Sequence, residues 1–139
     1  MRVYGDLYGF GHWAYLLGVD QGYPWISQVP VTVKSLDQAL GYLKPVAVKT
    51  AEAAGLRVVR QGDWFFIPVD NVPAGTPLGE EPLDDDHIAE NILRLKTRTY
   101  VSGSITHHQH DTVHLPGWHQ ALQNRAIRNG RFGQGKDCD

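Results

Sequence analysis

Cysteine is almost absent: Cys138 is the only one in 139 residues. A disulfide framework within the chain is therefore impossible, and a zinc site built on thiolates lacks its ligands. No apolar run approaches the length of a membrane span. The start, Met1-Arg2-Val3-Tyr4-Gly5-Asp6, lacks the charged and apolar regions of a signal peptide. The expectation is a cytoplasmic protein with no membrane partner. Basic residues are missing from positions 61–93, which carry eight Asp/Glu and no Lys/Arg. With a pI near 6.4, the chain lacks the overall charge of a dedicated nucleic-acid binder.

The net charge of −2 hides an asymmetry. Residues 1–60 carry +2, residues 61–93 carry −8 and residues 94–139 carry +4. Held apart, such segments give a directional field; folded back on each other, they neutralise. The length suits one domain, expected over residues 1–126, with a flexible, basic tail over 127–139. Fifteen Gly and eight Pro favour turns and short elements over long helices.

Residues 1–24 are rich in Gly and aromatics, with a strand near Arg2–Tyr4 and a short helix around His12–Leu17 expected. Trp25–Val33 alternates and reads as a strand, which Pro30 places at an edge or bulge. Ser35 and Gln38 mark a helix start as a capping box, followed by Leu36, Ala39, Leu40 and Leu43 on one face. Pro45 opens a second helix that stops at Gly55. Leu56–Arg60 and Trp64–Val69 form a hairpin about Gln61-Gly62-Asp63, with Trp64 and Phe66 in the core. Asp70–Asp86 reads as a solvated acidic loop. His87–Leu95 fits either a short helix or a strand. Tyr100–Thr106 and Thr112–Leu115 read as a second hairpin, with His108 and His114 on its polar side and His110 at its turn. Trp118–Ala126 is a further strand. The fold class expected is α+β: a small, mainly antiparallel sheet of two hairpins, with the two helices of residues 35–55 on one face.

Five of the seven histidines fall between His107 and His119. Neutral imidazole is the commonest protein metal ligand, and its pKa lies near neutrality. A catalytic zinc site takes three protein ligands and keeps one position for water. His108, His110, His114 and His119 are the candidate ligands of a divalent ion, zinc, manganese or iron. On a helix, His87 and Glu90 would share a face and supply a ligand or a general base. Without a metal, two histidines, with His107 and His87 as candidates, could exchange protons as base and acid. A polar surface turn explains the same run without any chemistry. Gly103 through His110 resembles the first cupin motif, but the second would have to abut it, so that match fails.

The run from Arg60 to Val69, followed by His87 with Glu90, Gly103, His107 with His110, Trp118-His119 and Asn124, resembles a family of small uncharacterised proteins. Its members come from phages, plasmids and actinobacterial or archaeal genomes. The resemblance covers residues 60–126 and brings no activity with it. It implies that His87, His110 and His119 meet in space.

Beyond the histidines, Arg125, Arg128, Arg131 and Lys136 alternate with Asn and Gly, a pattern that can contact nucleic-acid phosphates. A solvated tail explains it equally. Two functions follow. One is a small hydrolase-like protein of a mobile genetic element, acting on a phosphodiester or nucleic acid through its histidines. The other is a non-catalytic interaction protein, an inhibitor of a host nuclease or a virion component, whose partner is a host or phage protein. Its aromatic N-terminus and acidic loop would form the binding surface.

Overall fold

Alternating apolar residues in two separate stretches of the chain build two separate antiparallel sheets. The structure, a computed structural model, describes residues 7–10 and 13–125. The chain divides into two compact units, Met1–Lys44 with Asn124–Asp139, and Pro45–Gln123. The expected strand at Arg2–Tyr4 and the tail 127–139, with Arg128, Arg131 and Lys136, lie outside the described residues.

In the first unit, β1 (Leu7–Phe10), β2 (Trp13–Asp20) and β3 (Tyr23–Pro30) pair in chain order. The helix expected around His12–Leu17 is replaced by β2. Ala14 and Leu16 alternate inward with exposed Leu17 between Leu16 and Gly18, a period of two. β3 is an edge strand, and Pro30 ends it, where its missing N–H costs no ladder bond. α1 (Leu36–Leu43) begins as its sequence indicates. Ser35 Oγ accepts from Gln38 N at 3.2 Å, and Gln38 Oε1 accepts from Lys34 N at 2.8 Å. Ala39 and Leu43 pack on Ala14, Leu16 and Val29, with Leu36 and Leu40 around them.

In the second unit, Pro45 is the cap of α2 (Val46–Ala53), and Gly55 follows its end with φ of +82°. Then come β4 (Val59–Gln61), β5 (Trp64–Pro68), β6 (Glu81–Pro82), β7 (His87–Arg94), β8 (Thr99–His107) and β9 (His110–Gln123). They form one sheet in the order β4-β5-β9-β8-β7-β6. All its pairings are antiparallel. The class is α+β, as expected. The arrangement is not: two sheets replace one built from two hairpins, and the helices pack on different sheets. α1 covers the three-stranded sheet, whereas α2 puts Val48 and Ala51 against Phe65 and Ile67 of β5.

The six-stranded sheet has apolar residues on both faces. Phe66, Leu83, Ala89, Ile92, Val101, Ile105, Leu115 and Ala121 form one core, and the α2 contacts form the other. Burial on two sides explains why Phe65, Phe66 and Ile67 are all buried, although alternation predicts only Phe66. Trp64 is half-buried, not core, because its indole reaches toward a polar group. His87–Arg94 is a strand; its buried residues His87, Ala89, Ile92 and Leu93 span a register shift between Ala89 and Asn91. The strand expected at Trp118–Ala126 is the far half of β9, which ends at Gln123. No helix among the described residues is long and apolar enough to cross a membrane.

Candidate functional site

Three strands place a histidine at the same level. His87 of β7 pairs with His107 of β8, which pairs with His110 of β9. His107 shares the face of Ile105, two residues before it. His110 reaches that face through a register shift: Ile105 pairs with Val113, but His107 pairs with His110. The extra residue in β9 turns His110 inward where regular alternation would present Asp111. The tight turn is thus His108-Gln109, and the expectation of His110 at the turn is corrected by this bulge.

The sheet curls so that the β4–β5 turn meets this hairpin tip. Gln61, buried, donates from Nε2 to the carbonyls of Ile105 (3.1 Å) and Asp111 (2.7 Å), which flank the bulge. Gly62 follows with φ of +57°. A Cβ there would lie 2.9 Å from His110 Nε2 and 3.5 Å from His87 Nε2. Both nitrogens therefore lie against the side of Gly62 on which a side chain would project, and His110 approaches too closely to admit one. The ring centroids lie 4.3 Å apart for His87 and His107, 4.5 Å for His107 and His110, and 6.5 Å for His87 and His110.

His87 is the deepest of the three, 2% exposed. Its Nδ1 lies 3.0 Å and 3.1 Å from the two oxygens of Asp84. Asp84 also accepts from Trp64 Nε1 (2.8 Å), His87 N (2.7 Å) and Asp86 N (2.9 Å). Burial alone would raise the pKa of Asp84. The hydrogen bonds from His87, Trp64 and the two backbone amides outweigh it and hold the group below the usual carboxylate range. Asp84 is thus an anion, and His87 carries its proton on Nδ1. His87 Nε2 then presents a lone pair, is buried, and has no hydrogen-bond partner among the described residues.

His107 has the opposite arrangement. Its Nδ1 accepts from Gln109 N at 3.0 Å, so the neutral ring carries its proton on Nε2. Burial, then repulsion from His87, His110 and His108, lowers its pKa to about 4. His107 is neutral at pH 7. Beside it, Asp63, Asp84 and His87 each offer a ligand atom within 4.8 Å of the others, a group that could hold a metal ion.

The other predicted residues lie elsewhere. His108 is exposed at the turn, stacked on His107 at 4.7 Å, with Nδ1 4.0 Å from Asp86. His114 is exposed and its Nδ1 sits 3.0 Å from Ser104 Oγ. His119 is buried and donates from Nδ1 to Gly117 O at 2.8 Å. It pairs with Val101, six residues along β8 from His107, about 20 Å at strand spacing. Glu90 is exposed and accepts from Ser104 N, on the sheet face opposite His87. The expected shared face of His87 and Glu90 required a helix, and β7 separates them. Arg125 lies in the first unit, 5.5 Å over the Tyr42 ring. Of the histidines implied to meet, His87 and His110 do, and His119 does not. Sequence reasoning missed Asp84, Asp63, Gln61 and Gly62 as parts of a site. The Gln61-Gly62-Asp63 turn was visible as a turn only.

Compared with protein-family models, curated proteins and solved structures, the chain matches none.

Proposed function

We propose that this is a small hydrolase-like protein of a mobile genetic element, acting on a phosphodiester through His87, Asp84 and His107. The Asp84–His87 pair carries this reading. A buried carboxylate fixes the tautomer and ring of His87, and the opposite nitrogen keeps a lone pair for a proton. In the reaction, His87 Nε2 takes the proton of the attacking hydroxyl or water. The new O–P bond forms as the bond to the leaving oxygen breaks; the leaving oxygen departs with the electron pair and is protonated by solvent, to which His87 later returns its proton. His107, neutral with Nε2–H, is the donor for the charge that develops on phosphorus-bound oxygen.

The test is cleavage of labelled single-stranded RNA and DNA and of an activated phosphodiester, with untagged protein. Removal of a positioned base costs about 10²–10⁴ in rate. Asp84→Asn and His87→Gln are expected to fall by that factor, and His114→Gln to keep parental activity. Variants that cleave as fast as the parent, or a parent that cleaves nothing with or without added metal, would end this reading.

One observation favours the interaction-protein reading. Leu17 (40% exposed), Val19 (42%) and Tyr23 (42%) lie at the β2–β3 hairpin of the first unit. Exposed apolar side chains grouped on one hairpin suit a protein partner. A parent without turnover whose Leu17→Asp variant loses its biological effect would favour that class.

A further inference from the structure

An acidic setting is a poor one for a polyanionic substrate. Asp63, Asp84 and Asp86 lie around the three imidazoles, with Asp111 next to His110. A cation at the centre would offset them, and the geometry supplies a place for one.

We propose that His87 Nε2 and His110 Nε2, which both face Gly62, bind one divalent transition ion of the zinc type between them, with Asp84 supporting His87 from behind. Three observations carry this. His87 Nε2 is buried and has no donor among the described residues, an unmatched acceptor that a ligand would satisfy. His110 Nε2 faces the same side of Gly62, where the missing side chain lets both imidazoles approach the turn. The carboxylate on His87 Nδ1 is the outer partner that metal-bound histidines commonly have; it fixes the tautomer and raises the basicity of the bound nitrogen.

Imidazole donors favour zinc, copper, iron or nickel over magnesium or calcium. Two protein ligands leave positions for water or a substrate oxygen, beside His107 as a donor. The carboxylates of Asp63 and Asp84 offer a competing position. Asp84 already accepts from His87 Nδ1, two backbone amides and Trp64, and Asp63 Oδ2 accepts from Gln123 Nε2 at 2.8 Å. An ion between them would have to break those bonds, whereas an ion at Nε2 breaks none of them. His87 Nε2 has one lone pair, so a bound ion and its role as proton acceptor exclude each other; the inference stands whether or not the ion-free site turns over a phosphodiester.

The experiment is calorimetric titration of untagged, chelator-treated protein with zinc chloride, with cobalt(II) absorption as a second readout. One equivalent of zinc is expected, not displaced by excess magnesium. His110→Ala should weaken binding at least tenfold, about one ligand's worth. Asp84→Asn should weaken it about 10–100-fold, the usual effect of losing such an outer partner. Asp63→Asn and His114→Ala should leave affinity unchanged. His87→Ala empties a buried position, so His110→Ala and Asp84→Asn carry the test, with circular dichroism checking their fold. On zinc addition, the ring-proton NMR signals of His87 and His110 should shift and that of His114 should not. Absence of saturable zinc binding overturns the proposal. So does binding that survives His110→Ala, or binding lost in Asp63→Asn but kept in His110→Ala. Zinc uptake without phosphodiester turnover supports this proposal and removes the functional one; turnover that ignores chelators in a protein that takes up no zinc does the reverse.

Discussion

Replacing Gly62 by alanine separates what the turn needs from what the histidines need. Gly62 and Gly55 both have positive φ, +57° and +82°, so alanine at either carries the left-handed penalty, about 1–2 kcal/mol. Part of that is offset because alanine reduces the freedom of the unfolded chain, by about 0.4–1 kcal/mol. At Gly55 nothing lies within 4 Å of the new methyl group, so Gly55→Ala should cost about 1 kcal/mol and change nothing else. At Gly62 the methyl would lie 2.9 Å from His110 Nε2 and 3.2 Å from its Cδ2. The imidazole has to give way by several tenths of an ångström, against the rings of His87 and His107. Gly62→Ala should therefore cost about 1 kcal/mol more than Gly55→Ala, in the range of overpacked sites. Urea unfolding followed by tryptophan fluorescence measures both. The variants should also differ in kind: zinc affinity and the His110 ring signals change in Gly62→Ala and stay parental in Gly55→Ala. Equal stability losses with an undisturbed His110 would show that Gly62 serves the turn alone, and the ion position drawn beside it would be wrong.

Phe66, fully buried, should cost about 3–5 kcal/mol as Phe66→Ala in the same unfolding assay. Trp64→Phe keeps a ring but removes the donor to Asp84, and should cost about 1.5–3 kcal/mol, the range for one bond to a charged acceptor. For pH, the folded pKa of His107 lies near 4 against 6.5 for the free side chain. The unfolded chain binds the extra proton between these values, so stability is lost as pH falls from about 6.5 to about 4 and this contribution is flat outside that window. In His107→Gln, the slope of stability against pH across that window should shrink; an unchanged slope would mean that His107 is not the group held neutral.

Much of the local structure was legible. Ser35 with Gln38, Pro45 with Gly55, and the Gly62 turn each have a short-range cause, and each appears where the residues indicate. The site was legible in part. His87 and His107 were picked out by residue type alone, and His110 by its place in the histidine run. Asp84 was hidden in Asp84-Asp85-Asp86, because a run of three like charges reads as solvent-facing. Only the middle member is exposed; Asp84 turns toward His87, three residues on, and toward Trp64, 20 residues back, a contact that the local sequence does not encode. The bulge that brings His110 in and the length of β9 depend on pairing between strands, which alternation within one strand does not encode. His119 illustrates the cost: close to His110 in sequence, it lies far along an extended chain.

The Gln61 brace also has a consequence for how the site comes into being. One amide links β4 to carbonyls 44 and 50 residues later in the chain. Contacts of such separation form late in folding, after the hairpins they join. The local β8–β9 hairpin can exist with His107 and His110 paired, yet Gly62 meets them only when the sheet curls shut. The tip and the β4–β5 turn should then open together as one cooperative unit, at a free energy below that of global unfolding. Native-state hydrogen exchange would show the amides of Gly62, His107 and His110 sharing one opening energy, and Gln61→Leu lowering it for all three at once. A ligand held between turn and tip would raise that energy in proportion to its affinity, so occupancy of the site and closure of the sheet become the same equilibrium.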